Sequence, residues 1–594
     1  MVKILHKKPS RTGVGWGLVL LSALVYGLTM DRSVSWWDCG EFISTGWKLQ
    51  VGHPPGAPTY QLLSHLMMLL SGGNLMRVAF WSNMLSVVTA ALTVGLLYWI
   101  IEMLMPVHDE GDEKADKVHW GAVAGALCYA FCHTAWFSAV ESEVYATAMF
   151  FCALLVWLML RWERKGDAKR LVLVGLLLGL GVGVHLMVML TAPFILFLFV
   201  RNKGFKTRRW PQLTLICGLF FVVGLSVYAI VPIRAAANPP INEGNPSTVE
   251  AFRAYVKRDQ YAKAPLWPRM WREKDSNNWN RWAGSGNGVV ANMRYYFTYQ
   301  LGYMYGRYIV DNFIGRRNDH WRCTVLFVLP LLLALVGIKT MWRRRRSDFW
   351  GVGLIFLFGG VILNLYLNHP CYEPRERDYA YVLSFFAVAV WIGVGAEYIG
   401  SELNIKKMRW LTALVVVLAP TTMAVGNWTD HDRHNSHAVH DIAMAHLQSC
   451  DQGAVLFTYA DNDTFPLWYL QQVENQRPDI TIYNISIIGI PAFEYLLNGY
   501  INTRPVYLSE YAQNRFADMF EGHLRCEGYT WRVLIDTTQV ANVEPLQRHV
   551  ADSVKWHIVR SEYLSPVSRQ LIRRWQSNTG HTPTPWLYEL KKKE

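Results

Sequence analysis

Long apolar stretches separated by short polar segments occupy the first 426 residues of the chain. Eleven such stretches fall near 14–30, 76–104, 120–136, 146–160, 171–185, 187–200, 211–233, 322–340, 349–367, 380–398 and 409–426. Most of them approach the roughly 20 residues that a helix needs to cross a hydrocarbon layer of about 30 Å. The pattern therefore predicts an α-helical polytopic membrane protein with about eleven transmembrane helices.

Basic residues cluster in the polar segments between these stretches. The clusters lie at 3–11, 161–170, 201–209, 343–346 and 406–409. All of them share one side of the membrane if 171–200 forms two short spans that turn near His185. Because basic segments stay in the cytoplasm, we expect a multi-pass inner-membrane protein with its N-terminus inside and its C-terminus outside. No small-residue cleavage pattern follows the first stretch, so we expect it to be retained as an anchor.

This topology divides the chain into a membrane domain, 1–426, and an extracytoplasmic domain, 427–594. The outer segments of the membrane domain are predicted at 31–75, 137–145, 234–320 and 368–379. The C-terminal domain is predicted to be α/β, with strands at 454–459 and 480–485 and a helix between them that ends at Glu474. The pairing of Cys450 with Cys526 stays open at this point.

The C-terminal domain also carries an acidic loop between its first strand and the following helix. Asp461 and Asp463 stand in this loop, at the carboxyl end of a strand, where open α/β sheets bind ligands. The simpler interpretation is that Asp463 or Thr464 caps the helix.

Composition agrees with a membrane protein and excludes several other classes. Hydrophobic residues make up 52% of the 594 residues and charged residues 17%, whereas soluble domains carry about 25% charge. The net charge of +13 would suggest a nucleic-acid partner in a soluble protein, but here it orients the chain in the lipid bilayer. The chain lacks a Walker loop, a GxGxxG turn, a CxxC pair and an HExxH helix, which argues against an ATP-driven pump, a dinucleotide enzyme and a zinc protease.

The first outer segment carries two carboxylates close to the membrane. Asp38 and Glu41 stand three residues apart, so one helical turn places both on the same face. Ionised groups at a membrane surface are costly unless paired, which favours a general base with an orienting neighbour. An N-cap or a salt bridge to Arg32 explains these residues equally well. His53 follows in a rigid His-Pro-Pro-Gly turn, which either aims its ring at this site or connects two helices.

The other outer segments add ionisable and aromatic residues at the same membrane edge. These candidates are Glu141, Glu143, Tyr145, His185, Arg234, Arg375, Arg377 and Asp378. The guanidinium fork suits phosphate, so the three arginines are predicted to bind a phosphate group, with neighbouring acids or lipid headgroups as the alternative partners. The remaining residues are predicted to bind a sugar or an acceptor, although His185 is also compatible with a neutral core histidine.

Three motifs together resemble a known family. They are Trp37-Asp38-Cys39-Gly40-Glu41-Phe42, Val51-Gly52-His53-Pro54-Pro55-Gly56 and Asp461-Asn462-Asp463-Thr464-Phe465-Pro466-Leu467-Trp468-Tyr469-Leu470. They resemble a bacterial domain family of unknown function whose eukaryotic relatives are transmembrane protein O-mannosyltransferases. These enzymes belong to the GT-C superfamily of polytopic glycosyltransferases, which use polyprenyl-phosphate sugars. Protein O-mannosyltransferases have an adjacent Asp-Glu pair, whereas here Cys39 follows Asp38 and Glu41 is the substitute.

The resemblance implies a GT-C-like fold and transfer of a sugar, most simply mannose, from a polyprenyl-phosphate donor to Ser or Thr of an exported protein. Asp38 would be the general base, supported by Glu41, and the anomeric configuration would invert. The chemistry requires no cofactor, and nothing in the sequence supports a metal site for Mg²⁺ or Mn²⁺. Two alternatives stay open: a glycosyltransferase that modifies a lipid or a cell-envelope glycan, and a non-enzymatic transporter or scaffold.

Overall fold

The structure is a computed structural model. It describes residues 10–105, 118–202, 210–261, 263–269, 271, 276–284, 286, 288–315, 328–371, 375–402, 409–520 and 523–534. The last part of the predicted C-terminal domain, 535–594, lies outside the described residues, as do short parts of the outer segments 234–320 and 368–379.

Helices make up nearly all of the described membrane part. Its first eleven are α1 Arg11–Thr29, α2 Cys39–Lys48, α3 Pro58–Met68, α4 Val78–Leu104, α5 Trp120–Ala130, α6 His133–Ala139, α7 Val144–Lys165, α8 Ala168–Val182, α9 Ala192–Arg201, α10 Trp210–Leu225 and α11 Ile230–Ala236. The next nine are α12 Val249–Lys257, α13 Ser276–Ala283, α14 Val289–Tyr295, α15 Arg307–Phe313, α16 Leu329–Arg344, α17 Arg346–Phe356, α18 Ile362–Leu367, α19 Val382–Glu402 and α20 Arg409–His431. Each apolar stretch of the sequence therefore forms helix where it is described.

The number of membrane crossings is a separate matter, and eleven spans are not confirmed. Six helical segments of the described chain are long and apolar enough to cross, namely Arg11–Thr29, Leu75–Leu104, Val144–Lys165, Trp210–Ala236, Arg346–Leu367 and Asp378–Gly400. The pair α5 and α6, bent by 65°, makes a seventh if it counts as one span. At 1.5 Å per residue, α8 and α9 are only about 22 Å and 15 Å long, shorter than the bilayer core. The helical membrane fold is established, whereas the count of spans stays a prediction.

Small residues let some of these helices approach closely. A Cβ added to Gly175 on α8 would lie 2.4 Å from the Cys217 carbonyl oxygen on α10. A Cβ on Gly224 of α10 would lie 2.3 Å from the Leu176 carbonyl oxygen on α8. Close approach of backbones through glycine is typical of helix pairs in membranes, where dispersion contacts replace the hydrophobic effect.

The C-terminal part is a small α/β unit that begins after α20. It contains α21 Ala438–Ser449, β1 Val455–Thr458, α22 Asp461–Gln472, β2 Thr481–Asn484, α23 Ile485–Ile488, α24 Ile490–Tyr500, β3 Val506–Ser509, α25 Glu510–Phe516, β4 Leu524–Glu527 and β5 Thr530–Val533. The strand order is β2-β1-β3-β5-β4, with β1 parallel to both β2 and β3 and the pairs β3–β5 and β4–β5 antiparallel. This agrees with the α/β unit predicted from the sequence. Cys450 and Cys526 are both free thiols, so they do not pair.

The α/β unit shares a hydrophobic core with the first outer segment. Trp36, Cys39 and Ile43 are buried against residues of α21 and α22, including Leu467 and Leu470. A Cβ added to Gly40 would lie 2.4 Å from the Phe465 carbonyl oxygen, so α2 and α22 touch backbone to backbone. The helix that begins at Asp38 is therefore fixed by the C-terminal unit as well as by the membrane helices.

Candidate active site

Asp38 occupies the N-cap position of α2 without capping the helix through its side chain. The side chain is half-buried. Among the described residues, its carboxylate accepts no hydrogen bond and forms no ion pair. It is nevertheless surrounded by ionisable groups, since its negative charge acts on Glu143, His53, Glu243 and Asp461. We call these residues, together with Glu41, the Asp38 cluster.

Glu41 faces His53 and is almost fully buried, with 1% of its side chain exposed. Its Oε1 accepts a hydrogen bond from the His53 backbone N–H at 2.5 Å, and its Oε2 lies 2.6 Å from the His53 Nδ1. Burial alone would lower the pKa of His53, but the Glu41 carboxylate, with Asp38 and Glu243 nearby, raises it well above its usual value. The sequence left open that Asp38 and Glu41 act as an N-cap or bind Arg32. In the structure Glu41 instead pairs with His53, and the Asp38 side chain has no partner among the described residues.

Two buried carboxylates of the second outer segment hold Arg375. Glu143 Oε1 lies 3.3 Å from Arg375 Nη1, and Glu141 Oε1 lies 3.9 Å from Arg375 Nη2. Glu141 Oε2 also accepts a 2.5 Å hydrogen bond from Arg433 in the connection between α20 and α21. Burial raises the pKa of Glu143 well above its usual range, and Asp38 raises it further, while Arg375 lowers it. Glu143 Oε2 has no hydrogen-bond partner among the described residues.

Arg375 is enclosed by aromatic rings as well as by acids. Its guanidinium carbon lies 5.0 Å from the centre of the Trp37 ring and 4.6 Å from that of Tyr379. Only 6% of the Arg375 side chain is exposed, so its charge is largely offset within the protein. Arg377 is half-buried and donates a 2.6 Å hydrogen bond from Nη1 to the Tyr379 hydroxyl. Its positive charge acts on Asp461.

Tyr145 and His185 continue the row of rings that begins with Tyr379 beside Arg375. The Tyr145 ring lies 4.5 Å from the Tyr379 ring and 5.4 Å from the His185 ring, measured between centroids. His185 Nδ1 accepts a hydrogen bond from the Met187 backbone N–H at 3.1 Å. Burial, together with the positive charges of Arg258 and His53, lowers the pKa of His185 to about 4. His185 is thus a neutral histidine beside the cluster, and its role in binding a sugar or an acceptor stays a prediction.

The other predicted residues lie in structural contacts. Arg234 donates from Nε to the Leu49 carbonyl at 2.5 Å and from Nη2 to the Lys48 carbonyl at 3.1 Å, so it binds the last turn of α2. Asp378 accepts a 2.5 Å hydrogen bond from the Thr134 hydroxyl. These contacts engage both side chains with protein groups.

The two aspartates of the C-terminal loop have different surroundings. Asp463 is buried, and its Oδ2 accepts hydrogen bonds from the Tyr459 N–H at 2.8 Å and from the Ser509 hydroxyl. It therefore fixes the loop. The capping of α22 by Asp463 or Thr464 that the sequence suggested is wrong, because the N-cap residue is Ala460 and no side-chain cap hydrogen bond is present there. Asp461 is exposed and takes part in the Asp38 cluster.

Three functional candidates were missed by the sequence analysis. Glu243 is 5% exposed, belongs to the Asp38 cluster, and its Oε1 has no hydrogen-bond partner among the described residues. Arg258 is exposed, stacks on Tyr261 and makes no ion pair within the described ranges. Arg433 anchors Glu141. The signal for Glu243 was an acidic residue in a turn rich in Asn, Pro and Gly, whereas Arg433 carried no local signal.

No metal-ligand group stands out at this site. Over the residues that the structure describes, no three His, Cys, Asp or Glu side chains come together in a way that could hold a metal ion.

Comparisons with known proteins bear on the family resemblance and on the fold. A family profile described as the protein O-mannosyl-transferase TMEM260 N-terminal domain matches residues 38–208. A second, the TMEM260-associated domain 2, matches residues 439–494. The first match begins at Asp38, and the second includes Asp461 and Asp463.

Two curated relatives carry the same name. The protein O-mannosyl-transferase TMEM260 of Mus musculus is 24% identical over 493 residues, which cover 80% of this chain and 63% of the relative. The protein O-mannosyl-transferase tmem260 of Dictyostelium discoideum is 22% identical over 561 residues, covering 83% of this chain and 63% of the relative. The chain thus matches somewhat less than two thirds of the length of these relatives.

A solved structure shares the fold. It is ArnT from Cupriavidus metallidurans bound to undecaprenyl phosphate, with a TM-score of 0.53 and 11% identity, covering 90% of this chain and 100% of ArnT. Together these findings confirm the resemblance predicted from the three sequence motifs.

Proposed function

Because the chain carries two domains of the TMEM260 family of protein O-mannosyltransferases on a GT-C-like fold, we propose that it is an integral-membrane glycosyltransferase. It transfers a sugar, mannose, from a polyprenyl-phosphate donor to Ser or Thr hydroxyls of exported proteins. The relatives' names support the sugar and the protein acceptor, and the undecaprenyl phosphate bound to ArnT supports the class of donor.

The observation that carries this proposal is the state of Asp38. Within the described part of the chain its carboxylate has no hydrogen bond or ion pair, whereas the surrounding acids Glu41, Glu141 and Glu143 each contact a histidine or an arginine. A general base needs a lone pair that a substrate proton can reach. Asp38 is the member of the cluster that best meets this requirement.

The reaction follows as a single displacement. Asp38 accepts the proton of the acceptor hydroxyl while the hydroxyl oxygen bonds to the anomeric carbon. The bond between that carbon and the phosphate oxygen breaks, and polyprenyl phosphate leaves with the electron pair, so the anomeric configuration inverts. The proton then passes from Asp38 to water.

The leaving phosphate needs positive charge rather than a strong acid. The charge of Arg377 acts on Asp461 and that of Arg258 acts on the neighbouring His185. Arg258 is exposed and Arg377 is half-buried, so both can be reached by a donor, and we assign the phosphate to them. Arg375 is held by Glu143 and stacks on the Trp37 and Tyr379 rings, so we assign it a structural role beside the site. Preorganised charge of this kind stabilises a developing anion without reorganisation during the reaction. The periplasmic or other extracytoplasmic side is the proposed location of this site, with the N-terminus in the cytoplasm.

The test is sugar transfer by the purified full chain in lipid nanodiscs. Polyprenyl-phosphate mannose and Ser/Thr peptides of exported proteins are supplied, and products are analysed by mass spectrometry and by NMR of the anomeric centre. We expect inverted O-mannosyl peptide, with turnover reduced about 10²–10⁴-fold in Asp38→Asn. Asp518→Asn, an exposed aspartate of the C-terminal unit, is the matched control. Label on lipid or glycan instead of peptide, or donor flux without transfer, would contradict the proposal.

A further inference from the structure

Four side chains of alternating charge form a buried row beside the candidate active site. Arg433 Nη1 lies 2.5 Å from Glu141 Oε2. The other oxygen of Glu141 lies 3.9 Å from Arg375 Nη2, and Arg375 Nη1 lies 3.3 Å from Glu143 Oε1. We call these four residues the buried charge row, since no more than 6% of any of their side chains is exposed. Because charges away from water interact strongly over several ångströms, the position of each member depends on its neighbours.

The Arg433 end of the row is held by two helices of the membrane part. Arg433 lies in the connection between α20 and α21, and its backbone N–H donates a 2.8 Å hydrogen bond to the Thr29 carbonyl at the end of α1. Its guanidinium carbon lies 4.1 Å from the centre of the Phe137 ring on α6. Arg433 Nε and Nη2 have no hydrogen-bond partner among the described residues. The Arg433 side chain therefore engages Glu141 through a single hydrogen bond, from a backbone that α1 holds in place.

The other end of the row reaches Asp38 through Trp37. The Arg375 guanidinium carbon lies 5.0 Å from the centre of the Trp37 ring, which is buried. The Trp37 backbone N–H donates a 2.5 Å hydrogen bond to the Asn462 side-chain oxygen at the start of α22. Trp37 has φ 62°, a left-handed conformation that a non-glycine residue keeps only where surrounding contacts hold it. Because Asp38 follows directly, the contacts of Trp37 decide the direction in which the Asp38 side chain leaves the backbone.

We propose that Arg433 is a positioning residue of the transfer reaction: through the buried charge row it fixes Trp37 and hence the direction of the Asp38 carboxylate. This inference rests on the proposed function. Arg433 acts through other protein groups and takes no part in the chemical step itself. A residue that only stabilises the fold would lower the unfolding temperature and leave the kcat of the folded enzyme unchanged, so the two roles are separable by experiment.

Loss of the Arg433 charge has a defined consequence within the row. Within the described chain, Glu141 then keeps Arg375 as its one cationic partner, because a buried carboxylate without a cation is costly. The present gap of 3.9 Å between them closes towards the roughly 2.8 Å of a charged hydrogen bond. The Arg375 guanidinium thus moves by about 1 Å and changes its stacking on Trp37. A displacement of about 1 Å in groups that orient a reacting atom lowers the rate about 10²-fold.

The first test is the steady-state kinetics of sugar transfer by the full chain in nanodiscs. Arg433→Gln should lower kcat about 10–100-fold at a temperature where the variant is folded, with the donor KM unchanged. The double variant Arg433→Gln/Glu141→Gln also removes the pull on Arg375, so it should recover most of the kcat. Arg532→Gln, which breaks a solvent-accessible pair with Asp451, should match wild type. An unchanged kcat in Arg433→Gln, a raised donor KM alone, or a double variant no faster than the single one would overturn the proposal.

A second test does not depend on activity, so it separates this inference from the proposed function. Hydrogen exchange measured by mass spectrometry reports how well backbone N–H groups are protected in a peptide that contains Trp37 and Asp38. Exchange in this peptide should be faster in Arg433→Gln than in wild type, whereas peptides from β1 and β3 should be unchanged.

The double variant keeps this test decisive even if Arg433→Gln does not fold, because it leaves no unpaired charge at Glu141. It should fold and show wild-type exchange in the peptide with Trp37 and Asp38. Wild-type exchange in folded Arg433→Gln, or exchange in the double variant that is faster than in wild type, would refute the coupling even if sugar transfer is confirmed.

Discussion

The pairing of Glu41 with His53 predicts a stability change with a definite pH dependence. Glu41→Gln keeps the size of the side chain and one oxygen that can accept from the His53 N–H. It removes the negative charge from a carboxylate that is 1% exposed and lies 2.6 Å from the His53 ring nitrogen. Hydrogen bonds to charged groups contribute about 1.5–3 kcal/mol, and we expect a loss of that size in the free energy of unfolding at pH 6.

The pH dependence follows from the raised pKa of His53. A histidine whose pKa is raised by folding contributes stability that is fully present below its usual value of 6.5. The contribution is lost as the pH rises through the raised value. The gap in unfolding temperature between wild type and Glu41→Gln should therefore be widest at pH 6 and should narrow towards pH 10.

Thermal unfolding in nanodiscs at unit steps of pH measures this gap. Glu494→Gln, an exposed glutamate on α24, is the control and should leave the unfolding temperature unchanged at each pH. Turnover should fall less in Glu41→Gln than in Asp38→Asn, because Glu41 acts through His53. A gap that widens with pH, or no gap at all, would refute the assignment of a charged pair.

Two further substitutions test the packing and the charge of the site. Gly40→Ala forces a Cβ to within 2.4 Å of the Phe465 carbonyl oxygen, and we expect it to lower the free energy of unfolding by about 1–3 kcal/mol and to reduce turnover. The control Gly27→Ala, with no neighbour within 4 Å, should be neutral or stabilising. Equal unfolding temperatures for the two variants would contradict the close contact. Arg375→Lys removes the guanidinium group held by two buried carboxylates and should lower the free energy of unfolding by about 1.5–3 kcal/mol. Arg377→Lys should mainly raise the KM for the donor. If Arg375→Lys instead changes the donor KM and Arg377→Lys lowers the unfolding temperature, the two assigned roles are reversed.

Local patterns in the sequence predicted the helices and the α/β unit well. The strands expected at 454–459 and 480–485 are Val455–Thr458 and Thr481–Asn484, and the intervening helix ends at Gln472 rather than Glu474. These elements depend on apolar runs and turn residues that lie close together in the chain. The number of membrane crossings was harder to predict. The helices α8 and α9 are apolar but short, and hydropathy does not show how a helix is inclined to the membrane.

The partners within the site could not be predicted from local spacing. Glu41 and Asp38 stand three residues apart and suggested one shared role, yet Glu41 turns to His53, which is 12 residues away. Arg375 was predicted to bind phosphate. Its acidic partners lie 232 and more residues earlier in the chain, so the local sequence did not show that its charge is already paired. Such long-range pairings are decided by packing of separate elements, which a single sequence with no alignment does not reveal.

The arrangement of charges explains why the C-terminal unit is packed into the membrane domain. A base that remains unpaired beside several buried acids is stable only if those acids are neutralised by ion pairs or by protons. His53 and Arg375 neutralise two of them, and Arg433, which follows α20, neutralises Glu141. Two further acids near Asp38 have no ion pair among the described residues: the buried Glu243, and the exposed Asp461 at the start of α22, whose backbone touches that of α2. Separation of the two units would break the contacts between α22 and α2, the helix that begins at Asp38, and we expect sugar transfer to be lost with them.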